Sequence, residues 1–402
     1  MTKRTPLYER ETVVGAKFEL RATRRPDGQE DLWEIASLYS TVEEEYAAVR
    51  HATGLLDFSH RGKIRIKGPD SLKYLHGQVT NDIKRLPLHG SCYAFVLTHK
   101  GAIVGDVNVH RTGIDELLID TSEYCTLEVF DHLLRFAISD DVEIEDITES
   151  TSHLGLHGPK AMWLLNELTR EADAHGWMHP HSIEGYPIGP NNVLVHRQGS
   201  PRETGWTGEM GFDFFLEEQD PGLLWTTLLE KGEQYGLKCV GSRSFDILRL
   251  EAGVPLYGVD MTEEHLALEV LPTEEDVRRA ISTDKGCYIG QEVVARIINR
   301  GHVNRILAGL TWEGADESRE GRKLFKGDQA VGELTSSHWS PSLKKVVALG
   351  YVPSLQKDPG NRFSVGGPNS RIIAEVVQIP FYKPPIPGEE ELAKLTATTH
   401  AN

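Results

Sequence analysis

From Asn304 onward the chain breaks into short, apolar alternating runs, and this change of texture limits the possible folds more than any other feature. The runs are Ile306-Leu307-Ala308-Gly309-Leu310, Gln329-Ala330-Val331-Gly332, Val346-Val347-Ala348-Leu349-Gly350-Tyr351 and Ile372-Ile373-Ala374-Glu375-Val376-Val377. Turns rich in Gly, Pro, Asp and Ser separate them. Such a pattern predicts a small all-β barrel or sandwich over residues 304–383. Beyond it, the Pro- and Glu-rich end at 384–402 reads as a mobile tail.

Residues 1–303 have a different texture. Thr41 precedes Val42-Glu43-Glu44-Glu45 as a capping box would, predicting a helix that stops at Gly54. Gly62 to Gly68 alternates strictly, which marks a strand. Two more strands, 91–97 and 102–111, meet at a turn around Lys100-Gly101. Helices with apolar residues at helical spacing follow near 123–137, 158–174, 221–235 and 242–251, with strands between them. Interleaved helices and hairpin-like strands point to α+β rather than a doubly wound sheet. At 402 residues the chain is also too long for a single core.

Lys and Arg number 43 against 60 Asp and Glu, a formal charge of −17 that opposes general nucleic-acid binding. Arg296, Arg300 and Arg305 cluster near Lys285 and read as a solvated strand or loop face. No apolar stretch is long enough to span a membrane, and no secretory signal is expected after Met1-Thr2-Lys3-Arg4. The four cysteines are scattered, with no Cys-x-x-Cys pair and no zinc spacing, so no metal site is expected and a reducing, cytoplasmic setting fits.

Three segments could carry chemistry. Gly105-Asp106 interrupts an apolar strand, placing a carboxylate where it either orients a nitrogen-rich ligand or sits on the solvated face of a hairpin. Gly205-Trp206-Thr207-Gly208-Glu209-Met210-Gly211-Phe212-Asp213 combines aromatics, acids and glycines. It suits either a flat heterocycle with N–H donors at its edge or a Gly-rich turn with core aromatics. Lys285-Gly286-Cys287-Tyr288-Ile289-Gly290-Gln291-Glu292 holds a thiol between two glycines, with Lys285 two residues away to stabilise a thiolate. A free cysteine acting as a small hydrophobe is the other reading.

Together these segments resemble one superfamily from about Pro6 to Pro380. Leu55 to His60, Thr80-Asn81-Asp82, Gly155 to Ala161, Gly205 to Glu209 and Leu248 to Gly258 are similar to the T-protein of the glycine cleavage system, a tetrahydrofolate-dependent aminomethyltransferase. The octapeptide Lys285 to Glu292 resembles the signature of the related YgfZ-type folate-binding proteins, linked to assembly or maintenance of iron–sulfur enzymes. The resemblance implies two interleaved α+β lobes and a C-terminal β-barrel around a central folate opening. It makes Asp106 and Cys287 the catalytic candidates, and Trp206, Glu209, Asp213, Arg243 and Lys285 the candidates for holding folate. Asp106 matches the acid beside the reacting folate nitrogens, Trp206 a ring-stacking Tyr, and Asp213 a Glu that grips the pterin edge. Three departures stand out: Gly105 replaces the first acid of a pair, Asp213 is a methylene shorter than Glu, and Phe245 stands where an Arg is expected. The leading expectation is therefore a tetrahydrofolate-binding YgfZ-like protein with iron–sulfur client or assembly partners. The alternatives are a folate-dependent aminomethyltransferase or demethylase and a non-catalytic folate-binding scaffold.

Overall fold

The structure is a computed structural model describing residues 2–24, 30–169, 179–198, 205–314 and 322–384. The expected mobile tail, apart from Pro384, and the end of the helix expected near 174 lie outside these residues.

Four sheets organise the chain. The first is a small N-terminal sheet of β1 (Thr2–Arg4), β2 (Lys17–Arg24) and β3 (Glu30–Leu38) in the order β1-β3-β2, with α1 (Tyr8–Val13) between β1 and β2. Next come α2 (Val42–His51) and β4 (Thr53–Asp57). As the capping pattern predicts, the Thr41 hydroxyl accepts a hydrogen bond from the Glu44 amide at 3.2 Å.

After β4 the chain crosses to a second sheet. Strands β5 (Gly62–Lys67), β6 (Ser91–Leu97), β7 (Ile103–Arg111), β8 (Glu116–Thr121) and β9 (Glu143–Asp146) form it in the order β6-β7-β8-β5-β9, accompanied by α3 (Ser71–Gln78) and α4 (Thr126–Phe136). It then returns to pair with β4. Strands β10 (Thr151–His157), β11 (Ser182–Ile188), β12 (Asn191–Arg197), β13 (Gly211–Glu217) and β14 (Leu237–Cys239) complete a six-stranded sheet, β11-β12-β13-β10-β4-β14. Helices α5 (Ala161–Leu168) and α6 (Pro221–Gly232) cover it, burying Leu164, Leu165, Leu224 and Trp225 against Phe212, Phe214 and Leu216. The two α+β lobes are therefore interleaved, because β4 belongs to one and its neighbour in sequence to the other.

Helix α7 (Ser242–Glu251) leads to α8 (Glu274–Ala280) and α9 (Gln291–Arg300). The arginine cluster expected on a strand or loop is thus divided: Arg296 and Arg300 belong to α9, and Arg305 opens a strand. Val294 and Ile297 pack inward while Arg296 stays exposed, so helical rather than alternating periodicity governs this stretch. Finally β15 (Arg305–Trp312), β16 (Lys323–Lys326), β17 (Gln329–Ser340), β18 (Lys345–Pro353), β19 (Arg362–Val365) and β20 (Ile373–Val377) close into a six-stranded barrel. Closure leaves no unpaired edge, which is how six short strands form a stable unit. No described helix is long and apolar enough to cross a membrane.

Candidate functional site

Alternation along β7 creates the site. Ile103, Val107 and Val109 face the core under α4, with Gly105 among them. Asp106, Asn108 and His110 face the other way, toward the six-stranded sheet. The polar face of this strand is consequently a buried seam between the lobes and not a solvated surface.

In that seam Asp106 is 8% exposed; one carboxylate oxygen accepts from the Tyr93 hydroxyl at 3.2 Å, and the other, Oδ1, is buried without a partner. Burial pushes its carboxyl up to about 6, opposed by the Arg61 charge and the Tyr93 hydroxyl. An orphaned buried carboxylate oxygen is costly in a native fold and marks a place for a donor.

Near Asp106, the stretch Ser122–Tyr124 lines a cleft. Its walls come from three regions: the N-terminal sheet and the turn after it (Arg21, Ile35, Tyr39), the end of β4 with its following loop (Asp57, Phe58, His60, Arg61), and Trp206 with Phe245. The β4–β5 loop is firmly held. The Asp57 carboxylate accepts from the Ser59 amide at 2.9 Å, the Phe58 amide donates to the His153 carbonyl, and the buried Lys63 ammonium donates to the carbonyls of Ser59 and Arg61 at 2.6 Å each. This bracing fixes Arg61, whose Nε and Nη2 donate to the two oxygens of Asp120 at 2.9 and 3.0 Å. The same guanidinium lies 4.4 Å from the Trp206 ring centre, a cation–π stack. Phe58 and Phe245 pack edge-on 5.1 Å apart, and each lies within 6.4 Å of Trp206.

At the far wall Glu123 accepts from Arg21 at 3.1 Å and lies 3.8 Å from His60 Nε2. Burial alone would push the Glu123 carboxyl up, but the Arg21 and Arg61 charges hold it below the ordinary carboxylate range. Burial first, and then the neighbouring cations, push His60 down to about 3, so its imidazole is neutral.

Of the seven residues expected at a site, Trp206 alone lines the cleft; Asp106 is off the lining, its carbonyl bonded at 2.6 Å by Thr121, the neighbour of Ser122. The other five are elsewhere. Asp213 is enclosed in the seam, accepting from His153 at 3.1 Å, His196 at 3.0 Å and Gln198 at 3.0 Å. Burial would raise its carboxyl, yet the two histidines hold it well below the usual range. Its two oxygens are thus already engaged by three side chains. Glu209 is buried on Arg50 at 3.1 Å, at the junction with the barrel. Arg243 is 63% exposed on α7, with Glu19 at 3.9 Å as its partner.

The octapeptide lies against α3, with the Ile289 amide donating to the Gly77 carbonyl at 3.1 Å. Lys285 donates to the carbonyls of His76, Val79 and Asn81 at 2.5, 2.6 and 2.7 Å. Its ammonium caps the end of α3. Cys287 itself is an exposed free thiol. Among the described residues no His, Cys, Asp and Glu group has the geometry of a metal site.

Sequence reasoning missed Arg21, Arg61, Asp120 and Glu123. Arg61 immediately follows a family-like stretch, and the alternating Asp106-Asn108-His110 face is the signal that could have revealed the buried seam.

Residues 24–285 match the family model for the GCVT N-terminal domain, and 305–383 match that for the glycine cleavage T-protein C-terminal barrel domain. Arg21 precedes the first match, and most of the octapeptide falls between the two. An aminomethyltransferase of Caldanaerobacter subterraneus subsp. tengcongensis is 31% identical over 95% of this chain and 96% of its own length. One of Symbiobacterium thermophilum is 33% identical over 95% and 98%. The crystal structure of the glycine cleavage system aminomethyltransferase T from Bartonella henselae superposes with a TM-score of 0.80 at 25% identity, covering 95% of this chain and 98% of that one.

Proposed function

Because the chain belongs to the glycine cleavage T-protein (aminomethyltransferase) family, whose members use tetrahydrofolate, we propose that it moves a one-carbon unit from an amine donor to that cofactor. The observation that carries this reading is Asp106, a buried carboxylate with one oxygen unbonded near an aromatic-walled cleft. Tetrahydrofolate supplies the nucleophilic nitrogen that takes up the one-carbon unit. The residues suit its reacting end: Asp106 Oδ1 can accept from a ring or amine N–H, and Tyr124 can cover a flat ring.

Above about pH 6 Asp106 is ionised, and its fixed charge favours positive charge developing on the migrating carbon. Tyr93 donates to the carboxylate and keeps it oriented, while Arg61 helps to keep it ionised.

Ammonia release from an aminomethyl donor, measured with and without tetrahydrofolate, tests the proposal. Turnover should require the folate, and Asp106→Asn should lower kcat by about 100-fold or more while leaving folate affinity within a few-fold. Because the carboxylate must be charged, kcat/KM should fall about tenfold per pH unit below about 6. Folate binding without any ammonia release would sink the transferase reading in favour of a scaffold.

The iron–sulfur reading rests on the octapeptide and the exposed Cys287 alone. The aminomethyltransferase names of the relatives favour the transferase over it. If iron–sulfur enzyme activity in cells survives Cys287→Ala, the thiol has no part in that role.

A further inference from the structure

The Trp206 end of the cleft has a polarity opposite to the one a pterin edge needs. A donor-edged heterocycle requires an acid there, and Asp213 is already saturated by His153, His196 and Gln198. The position facing it carries Phe245, which offers no polar group. Arg61 instead supplies a donor edge. A guanidinium has five N–H donors, and Asp120 takes one each from Nε and Nη2. Among the described residues nothing accepts from Nη1, and it is not among the unpaired atoms sealed from solvent. The charge is fixed from three sides, by Asp120 at its edge, by the Trp206 face at 4.4 Å, and by Lys63 holding the Arg61 carbonyl.

We infer that Arg61 is a specificity-determining residue whose Nη1 edge receives a ligand carboxylate, with the apolar body of that ligand against Trp206, Phe58 and Phe245. Planar, pre-positioned guanidinium N–H groups match the two oxygens of a carboxylate, and charge-assisted bonds of this kind are about twice as strong as neutral ones. The carboxylate comes either from the glutamate tail of the folate or from the one-carbon donor. The inference builds on the proposed function only in taking this cleft as the ligand site. It concerns binding and not turnover, so its failure is separable from failure of the transferase reading.

Calorimetric titration of the full chain provides the test, with 4-aminobenzoyl-L-glutamate, N-methylglycine and 6-methyltetrahydropterin as probes. The first two carry carboxylates and stand for the folate tail and a small amine donor; the third carries none. Arg61→Met removes the donor edge at similar length. Arg61→Met/Asp120→Asn does the same without stranding a buried carboxylate, so at least one variant reports from a folded protein. At least one carboxylate probe should bind about tenfold or more weakly to the variants, with the pterin weakened by no more than about threefold. The probe that responds identifies the source of the carboxylate. Three results would overturn the inference: neither carboxylate probe binds the wild type, both bind the variants as tightly as the wild type, or the pterin gains affinity when Arg61 is removed. In the last case Arg61 would be an internal plug on Trp206.

Discussion

At the scale of single residues, Gly105 and Asp106 show how local packing decides which acids a strand can hold. A Cβ at Gly105 would lie 2.5 Å from Val129 Cγ2 and 2.9 Å from Cys125 Sγ on α4. The helix sits too close for any side chain at 105, so this strand has room for one acid and not two. Asp106 faces the other way and is kept at a cost. Its folded pKa of about 6 lies above the ordinary value, so the native state holds the proton more tightly than the unfolded chain. Stability from this group is therefore fullest below about pH 4 and is lost as pH rises through about 6. Asp106→Asn should accordingly stabilise the protein at pH 7 by roughly 1–3 kcal/mol while removing activity, as denaturant melts at pH 4 and pH 7 would show, with the gain confined to the higher pH. The sequence made Asp106 visible because its strand pattern was broken there. It left Arg61 and Glu123 hidden, since their roles depend on two distant segments meeting across the lobes.

At the scale of elements, the octapeptide divides into a structural half and an exposed half. Lys285 satisfies carbonyls at the end of α3 and in the loop after it, groups that helix geometry leaves without partners. Lys285→Met should lower unfolding free energy by about 2–3 kcal/mol in urea titrations, whereas Cys287→Ser should stay within about 0.5 kcal/mol. An equal effect of the two would contradict this division. Periodicity made most of these elements legible: α2, β5, β6, β7 and the barrel strands fall close to where the pattern puts them. Helix α9 was missed because its arginines drew attention from the Val294 and Ile297 stripe. The N-terminal sheet offered no motif, though it contributes Arg21 to the cleft.

At the scale of the whole molecule, one buried cluster joins lobes and barrel. Arg50 donates to Glu251 at 2.6 Å, to Glu209 at 3.1 Å and to the Thr207 carbonyl at 2.8 Å, with the Tyr382 ring 3.8 Å from its guanidinium. Ser340 of β17 donates to the same Glu251 at 2.5 Å. Arg50→Met leaves two buried carboxylates without their cation and should cost about 3–5 kcal/mol, read from chemical denaturation. A loss below about 1 kcal/mol would mean that the cluster does not bind the parts together. The resemblance made the three-part plan legible, but nothing in the spacing of Arg50, Glu209 and Glu251 announces that they meet.

The stack of Arg61 on Trp206 also has an optical consequence. Trp206 is one of seven tryptophans, and its indole lies against a fixed cation in the cleft wall. A ligand that engages Arg61 must alter the field across that ring. Its emission should therefore shift on occupancy, giving the protein an intrinsic fluorescent gauge of its own ligation, and one that Trp206→Phe would silence.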